Sequence, residues 1–71
     1  MKFIENNGSN LVCEFTEEEL ITLKNVLCEV CWGASAIEEF EFQTLIGQDR
    51  EYTGNLCKEI RQLMDDLNIV E

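Results

Sequence analysis

The amino-acid sequence predicts a mainly α fold in a single domain of residues 1–71, with an N-terminal β-hairpin over residues 1–15 and a three-helix bundle over residues 16–71. Three observations carry this. Two short apolar stretches flank the turn-forming segment Asn6-Asn7-Gly8-Ser9, apolar residues recur at spacings of three and four from Leu20 onward, and Gly33 and Gly47 interrupt that helical rhythm.

The hairpin comes first. Lys2 to Glu5 and Leu11 to Phe15 are the candidate strands, and the Asn7-Gly8 pair favours the positive backbone angles of a tight turn. Leu11, Cys13 and Phe15 alternate onto one face. A lone two-stranded ribbon is marginal in water, so that face is expected to rest on a helix, as a lid.

The first helix has the clearest start. Thr16 is positioned to cap, Glu19 three residues on completes a capping box, and Phe15 and Leu20 occupy the two positions of a hydrophobic staple. The helix is expected from Glu17 to Trp32, with Leu20, Leu23, Leu27 and Val30 as its core stripe, Cys31 beside them, and Gly33 as a left-handed stop. A second helix is expected to open at Ser35, with Glu38 three residues later, and to run through Ile37, Phe40, Phe42, Leu45 and Ile46 to Gly47. Its apolar residues spread around the helix, so it is either deeply buried or turns one side to a partner.

The last helix is expected from Arg50 to Leu67 with Asp49 as cap. Tyr52, Leu56, Ile60, Leu63 and Leu67 form its inward stripe, supplemented by Cys57 and Met64. Gly54 interrupts it at a cost of roughly 1 kcal/mol relative to alanine, which marks a close approach to another backbone.

Composition restricts the function. An apolar content of 45% fits a globular chain rather than a disordered one. Fifteen acidic residues oppose five basic ones with no histidine, for a formal charge of -10. Such a surface repels nucleic acid and anionic lipid and attracts basic protein. The helix, glycine turn, helix rhythm from Phe40 to Arg61 is that of a DNA-reading motif, but the would-be recognition helix opens Asp49-Arg50-Glu51-Tyr52, and attraction to phosphate is the usual basis of such affinity. No apolar run approaches the roughly 20 residues that cross a bilayer, and the first residues lack the pattern of a signal peptide, so the expected location is cytoplasmic.

Neither catalysis nor a cofactor is expected. Cys28 and Cys31 form a Cys-x-x-Cys, the spacing of a redox pair or of half a zinc site. They lie in the last turn of the first helix, where the dipole opposes thiolate, and a zinc site needs Cys13 and Cys57 to converge as well. Packing is the preferred reading of all four cysteines. The carboxylate clusters Glu17-Glu18-Glu19 and Glu38-Glu39 with Glu41 match no calcium-loop spacing, and without histidine no nucleophile has an evident base. No catalytic, cofactor or metal residue is therefore assigned.

From Leu23 to Leu63, over half of the chain, the blocks Leu27-Cys28-Glu29-Val30-Cys31 and Glu39-Phe40-Glu41-Phe42-Gln43-Thr44, with Gly47 and Glu59-Ile60, resemble a widespread set of short bacterial proteins. Those proteins commonly read Leu-Asn-Glu-Val-Cys-Asn-Gly in the first block. The present chain departs from that at Cys28, at Trp32 and in the extra residues before Glu38. Small acidic proteins of this kind resemble the immunity proteins of contact-dependent and other polymorphic toxin systems, and the resemblance implies a cytosolic inhibitor of a toxin such as an EndoU-type ribonuclease.

The expected function is accordingly an immunity protein that neutralises a basic nuclease toxin by stoichiometric occlusion of its groove. Glu38, Glu39, Glu41, Asp49 and Glu51 are expected to supply charge, and Trp32 or Phe42 the aromatic anchor. The partner is a basic protein, and the chain when free is expected to be a monomer or weak dimer. Two rivals remain. One is an acidic nucleic-acid mimic that inhibits a defence or restriction complex; the other is a helical regulatory module that self-associates through a second apolar stripe of Ile21, Cys28 and Trp32.

Overall fold

A computed structural model describes residues 1–34 and 36–69. The chain forms an antiparallel β-hairpin and three helices: β1 (Lys2–Asn7), β2 (Asn10–Glu14), α1 (Glu17–Trp32), α2 (Glu39–Ile46) and α3 (Arg50–Asp66). This is the mainly α class with an N-terminal hairpin that the sequence predicts.

The turn uses a different pair of residues from the one expected. β1 ends at Asn7 and β2 begins at Asn10, so Gly8-Ser9 form a two-residue loop in which Gly8 takes φ 70°. Glycine with positive φ at the first central position is the arrangement of a II′ turn, whose twist suits the strands. Phe3 pairs with Cys13 while Glu5 pairs with Val12, which leaves Ile4 as a bulge. The lid is not formed: the hairpin packs on no helix, and Phe3, Leu11 and Phe15 remain exposed. What ties its end down is an ion pair between the N-terminal amine and Glu19.

α1 begins as its residues dictate. The Thr16 hydroxyl accepts from the Glu19 amide at 3.1 Å and the Glu19 carboxylate accepts from the Thr16 amide at 2.9 Å, which completes the capping box. The same contacts, led by the N-terminal amine, hold the Glu19 carboxyl below its ordinary value. At the other end Gly33 has φ -79° rather than the left-handed angle, so it needs no positive φ. A Cβ there would lie 2.1 Å from the Glu29 carboxylate.

The second helix starts later than the sequence suggests. Glu38 occupies the N-cap without a capping side-chain bond, and the expected cap Ser35 lies outside the described residues. Gly47 does close the helix in the left-handed region at φ 92°. Asp49 then caps α3 through a 2.8 Å bond from the Tyr52 amide. α3 ends in a Schellman arrangement: Asn68 takes φ 56°, its amide donates to Asp65 O at 3.2 Å, and the Ile69 amide donates to Met64 O at 2.9 Å.

Packing is antiparallel between α1 and α3, with Trp32 against Gly54 near one end and Leu20 near Leu63 and Leu67 at the other. α2 packs on α3 alone, at the end where α1 stops. The fully buried side chains are Phe42 and Cys57, joined in the core by Cys31 and Met64, with Thr53 and Gly54 also covered. The inward side of α3 is therefore Thr53, Gly54, Cys57 and Met64: Cys57 and Met64 face inward as expected and Ile60 is half-buried, but the other four residues of the expected stripe stay exposed. Leu56 is 39%, Leu63 47%, Tyr52 57% and Leu67 58% exposed. Period identifies a stripe, but what covers it depends on neighbours, and here two helices of depth leave one side of each open.

Candidate partner-binding face

The site is built where the end of α1, the start of α2 and the first turns of α3 meet. α1 stops at Trp32, whose indole lies across α3 because Gly54 has no side chain. A Cβ at that position would approach Trp32 Cζ2 to 2.9 Å, closer than atoms tolerate. The glycine thus accommodates a close approach, as its place in the helix suggests, but to an aromatic ring rather than to a backbone. One turn on, the Lys58 amine stands 5.9 Å from the Trp32 ring, within cation–π range. Trp32 keeps half of its surface in solvent.

Trp32, Gly54 and Lys58 share an open groove of about 360 Å³ with Glu39, Arg50, Glu51 and Asn55. Of the residues singled out by sequence, Trp32, Glu39 and Glu51 come together here. Glu38, Glu41 and Asp49 are exposed but do not line the groove: Glu38 is the α2 N-cap, Asp49 the α3 N-cap, and Glu41 lies two residues along α2 from Glu39. Phe42 does not belong to the surface: at 1% exposure it is core, and the exposed aromatic of α2 is Phe40, at 81%. The two are neighbours on nearly opposite sides of one helix, and tertiary packing selects the one that faces α3.

Arg50 is the organising side chain, and sequence reading passed over it. Its guanidinium donates to the backbone carbonyls of Cys31 and Ile37, bonds Glu39 Oε2 at 2.7 Å and stacks 4.6 Å from the Phe42 ring centre. One planar fork joins the last turn of α1, the α1–α2 connection and the start of α2 to the start of α3. Its charge is turned into the fold and offset by Glu39, so it does not neutralise the outer carboxylates. The signal available in sequence was a basic residue directly after a helix cap, opposite a glycine-ended helix.

The cysteines pack. Cys31 and Cys57 are buried, Cys13 and Cys28 half-buried, and all four are free thiols. Burial pushes the Cys31 thiol up despite nearby Arg50, and burial with the hydrogen bond Cys57 donates to Cys28 pushes Cys57 up to about 11. Those directions are the reverse of what a thiolate nucleophile needs. Among the described residues no three histidine, cysteine or acidic side chains converge on a point that could hold a metal ion, and Cys13 stays on the hairpin. No described helix is long and apolar enough to cross a membrane.

Fold and site together define a small helical protein with an open groove in which half-exposed Trp32 lies among two carboxylates, Glu39 and Glu51, and two cations, Arg50 and Lys58. Comparisons with protein families, with curated proteins and with solved structures return no match to this chain.

Proposed function

We propose that the chain is a stoichiometric inhibitor of a basic protein, and in particular an immunity protein that occludes the substrate groove of a nuclease toxin. The observation that carries this reading is the placement of half-exposed Trp32 in a groove with Glu39 and Glu51, on a chain of charge -10 whose Glu38, Glu41 and Asp49 are exposed as well. A nuclease groove must be basic to hold phosphate, and complementary charge raises association rates toward 10⁸–10⁹ M⁻¹s⁻¹ at low salt, by estimates of order of magnitude. An aromatic anchor at the centre of such a face supplies desolvated contact area. The Leu27–Cys31 and Glu39–Thr44 blocks resemble a set of short bacterial proteins, and small acidic proteins of that kind resemble immunity proteins, which supports the same choice. The chain acts by binding alone, without catalysis.

The test is capture of partners from the native host with the tagged chain at moderate salt, followed by mass spectrometry. A basic nuclease domain at one-to-one ratio is the expected result. Reversal of Glu38, Glu41 and Glu51 to lysine should abolish capture while the circular dichroism spectrum stays the same. Asp49 and Glu39 are left intact because they cap α3 and hold Arg50. Recovery of no basic partner, or capture indifferent to the reversal, refutes the reading.

A further inference from the structure

We infer that two copies of this chain associate through the open side of the α1–α3 layer, in a two-fold dimer whose four long helices form one bundle. The inference goes beyond the acidic face and does not depend on it.

The chain exposes more surface than its size allows a finished domain. Its accessible surface is 5514 Å² for 8.2 kDa, whereas a folded monomer of that mass exposes about 4,500 Å². The radius of gyration is 13.4 Å, against about 11 Å for a compact domain of this length. The excess of about 1,000 Å² is comparable to the roughly 800 Å² that each partner buries in a standard interface. The packing shows where contact is missing: α1 pairs with α3, α2 packs on α3, and the described hairpin packs on no described helix, so the α1–α3 pair has no second layer on its open side, whereas a domain core forms between two layers.

The open side has a definite chemistry. Exposed Leu23 on α1 and exposed Leu56, Leu63 and Leu67 on α3 are joined by half-buried Leu20, Leu27, Val30 and Ile60, so the two stripes are spaced three, four, three and four, three, four. That is the seam by which helices pair with other helices. Leu20, Leu63 and Leu67 already share one open groove of about 430 Å³ with Phe15 and Ile69. Leu23 lines the adjoining depression, again with Phe15. Leu56 lies two turns along α3 from Leu63, on the same stripe.

A second copy is the occupant these features select. It carries the same seam on two antiparallel helices, so a two-fold axis matches stripe to stripe without any further complementarity. It also offers helical support to the hairpin, which no described helix of its own chain supports and whose following residue Phe15 lines the groove. Each copy bears charge -10, so the copies repel and salt must favour the dimer. A basic partner has the opposite salt dependence.

The deciding measurement is the sedimentation-equilibrium mass of the full chain from low to high micromolar concentration, at about 50 mM and about 500 mM NaCl. The expected result is twice the 8.2 kDa chain mass, with a dissociation constant several-fold lower at the higher salt. Leu63→Glu should raise that constant by about 100-fold or more with the helical spectrum preserved, since Leu63 is already half exposed. Phe40→Glu, on the far side of α2 from Phe42, should leave it unchanged. A monomer under every condition, a dimer that weakens with salt, or one broken by Phe40→Glu instead of Leu63→Glu overturns the inference.

Discussion

Replacing Arg50 by methionine tests whether one side chain holds the three helices in register. The guanidinium is 23% exposed and donates to two backbone carbonyls, those of Cys31 and Ile37, besides pairing with Glu39. A hydrogen bond from a charged donor contributes about 1.5–3 kcal/mol. The Glu39 partner is 77% exposed, and such a pair adds under about 1 kcal/mol. Methionine retains the apolar contact with Phe42 and loses every donor, so the expected loss is about 3–4 kcal/mol. Domains are stable by roughly 5–15 kcal/mol in total, and in a domain this small each kcal/mol moves the midpoint by about 4–8 °C. Thermal melts followed by circular dichroism should therefore place Arg50→Met at least about 12 °C below the parent at equal protomer concentration. Arg50→Lys should recover little, because a lysine cannot reach two carbonyls and a carboxylate in one plane. Glu39→Gln should cost under about 1 kcal/mol. The reasoning is refuted if Arg50→Met loses less than about 1 kcal/mol or if Glu39→Gln matches it.

Phe42→Ala should cost about 3–5 kcal/mol and abolish the cooperative melt, whereas Phe40→Ala, a few positions away in space but in solvent, should change stability by under about 0.5 kcal/mol. Gly54→Ala should displace the indole, which tryptophan emission reports as a red shift; the helix gains about 1 kcal/mol of propensity against the lost contact, so the melt should barely move, and unchanged emission would contradict the clash. Under native conditions a thiol reagent should label Cys13 and Cys28 readily and Cys31 and Cys57 only on unfolding, as mass spectrometry of labelled peptides can count. For pH the sign follows from the raised thiols: the folded state keeps protons that the unfolded chain releases above its ordinary thiol value near 9, so stability is full below that value and falls as pH rises toward about 11. Cys57→Ala should flatten that alkaline decline in denaturation midpoints, and an unaltered profile would remove the explanation.

The elements whose determinants are local were legible. Thr16 and Glu19 specify the start of α1, Asp49 that of α3, and Gly47 the end of α2, because each acts within one turn of chain. What depended on distant neighbours was not. The α3 stripe of Leu56, Leu63 and Leu67 has the period of a core face, yet the described residues leave it 39–58% exposed. Phe40 and Phe42 are equivalent by composition, and only the position of α3 decides between them. Arg50 reads as an ordinary surface charge until the carbonyls of Cys31 and Ile37 are seen to converge on it. The hairpin was expected to rest on a helix, and no described helix packs against it.

The two surfaces that remain open lie on opposite sides of α3. Leu56 is two residues from both Gly54 and Lys58, which places it about 200° around the helix from each. Association of two copies through Leu56, Leu63 and Leu67 therefore leaves the grooves around Trp32 facing outward. It also sums the charges of the two chains, which strengthens the field a basic partner feels while self-repulsion keeps the pairing sensitive to salt. On the proposed function, low salt should favour capture of a basic partner and oppose self-association, and high salt should do the reverse. A single salt titration that follows mass and partner binding in the same samples thus separates the two surfaces, because the contacts respond with opposite sign to the same screening.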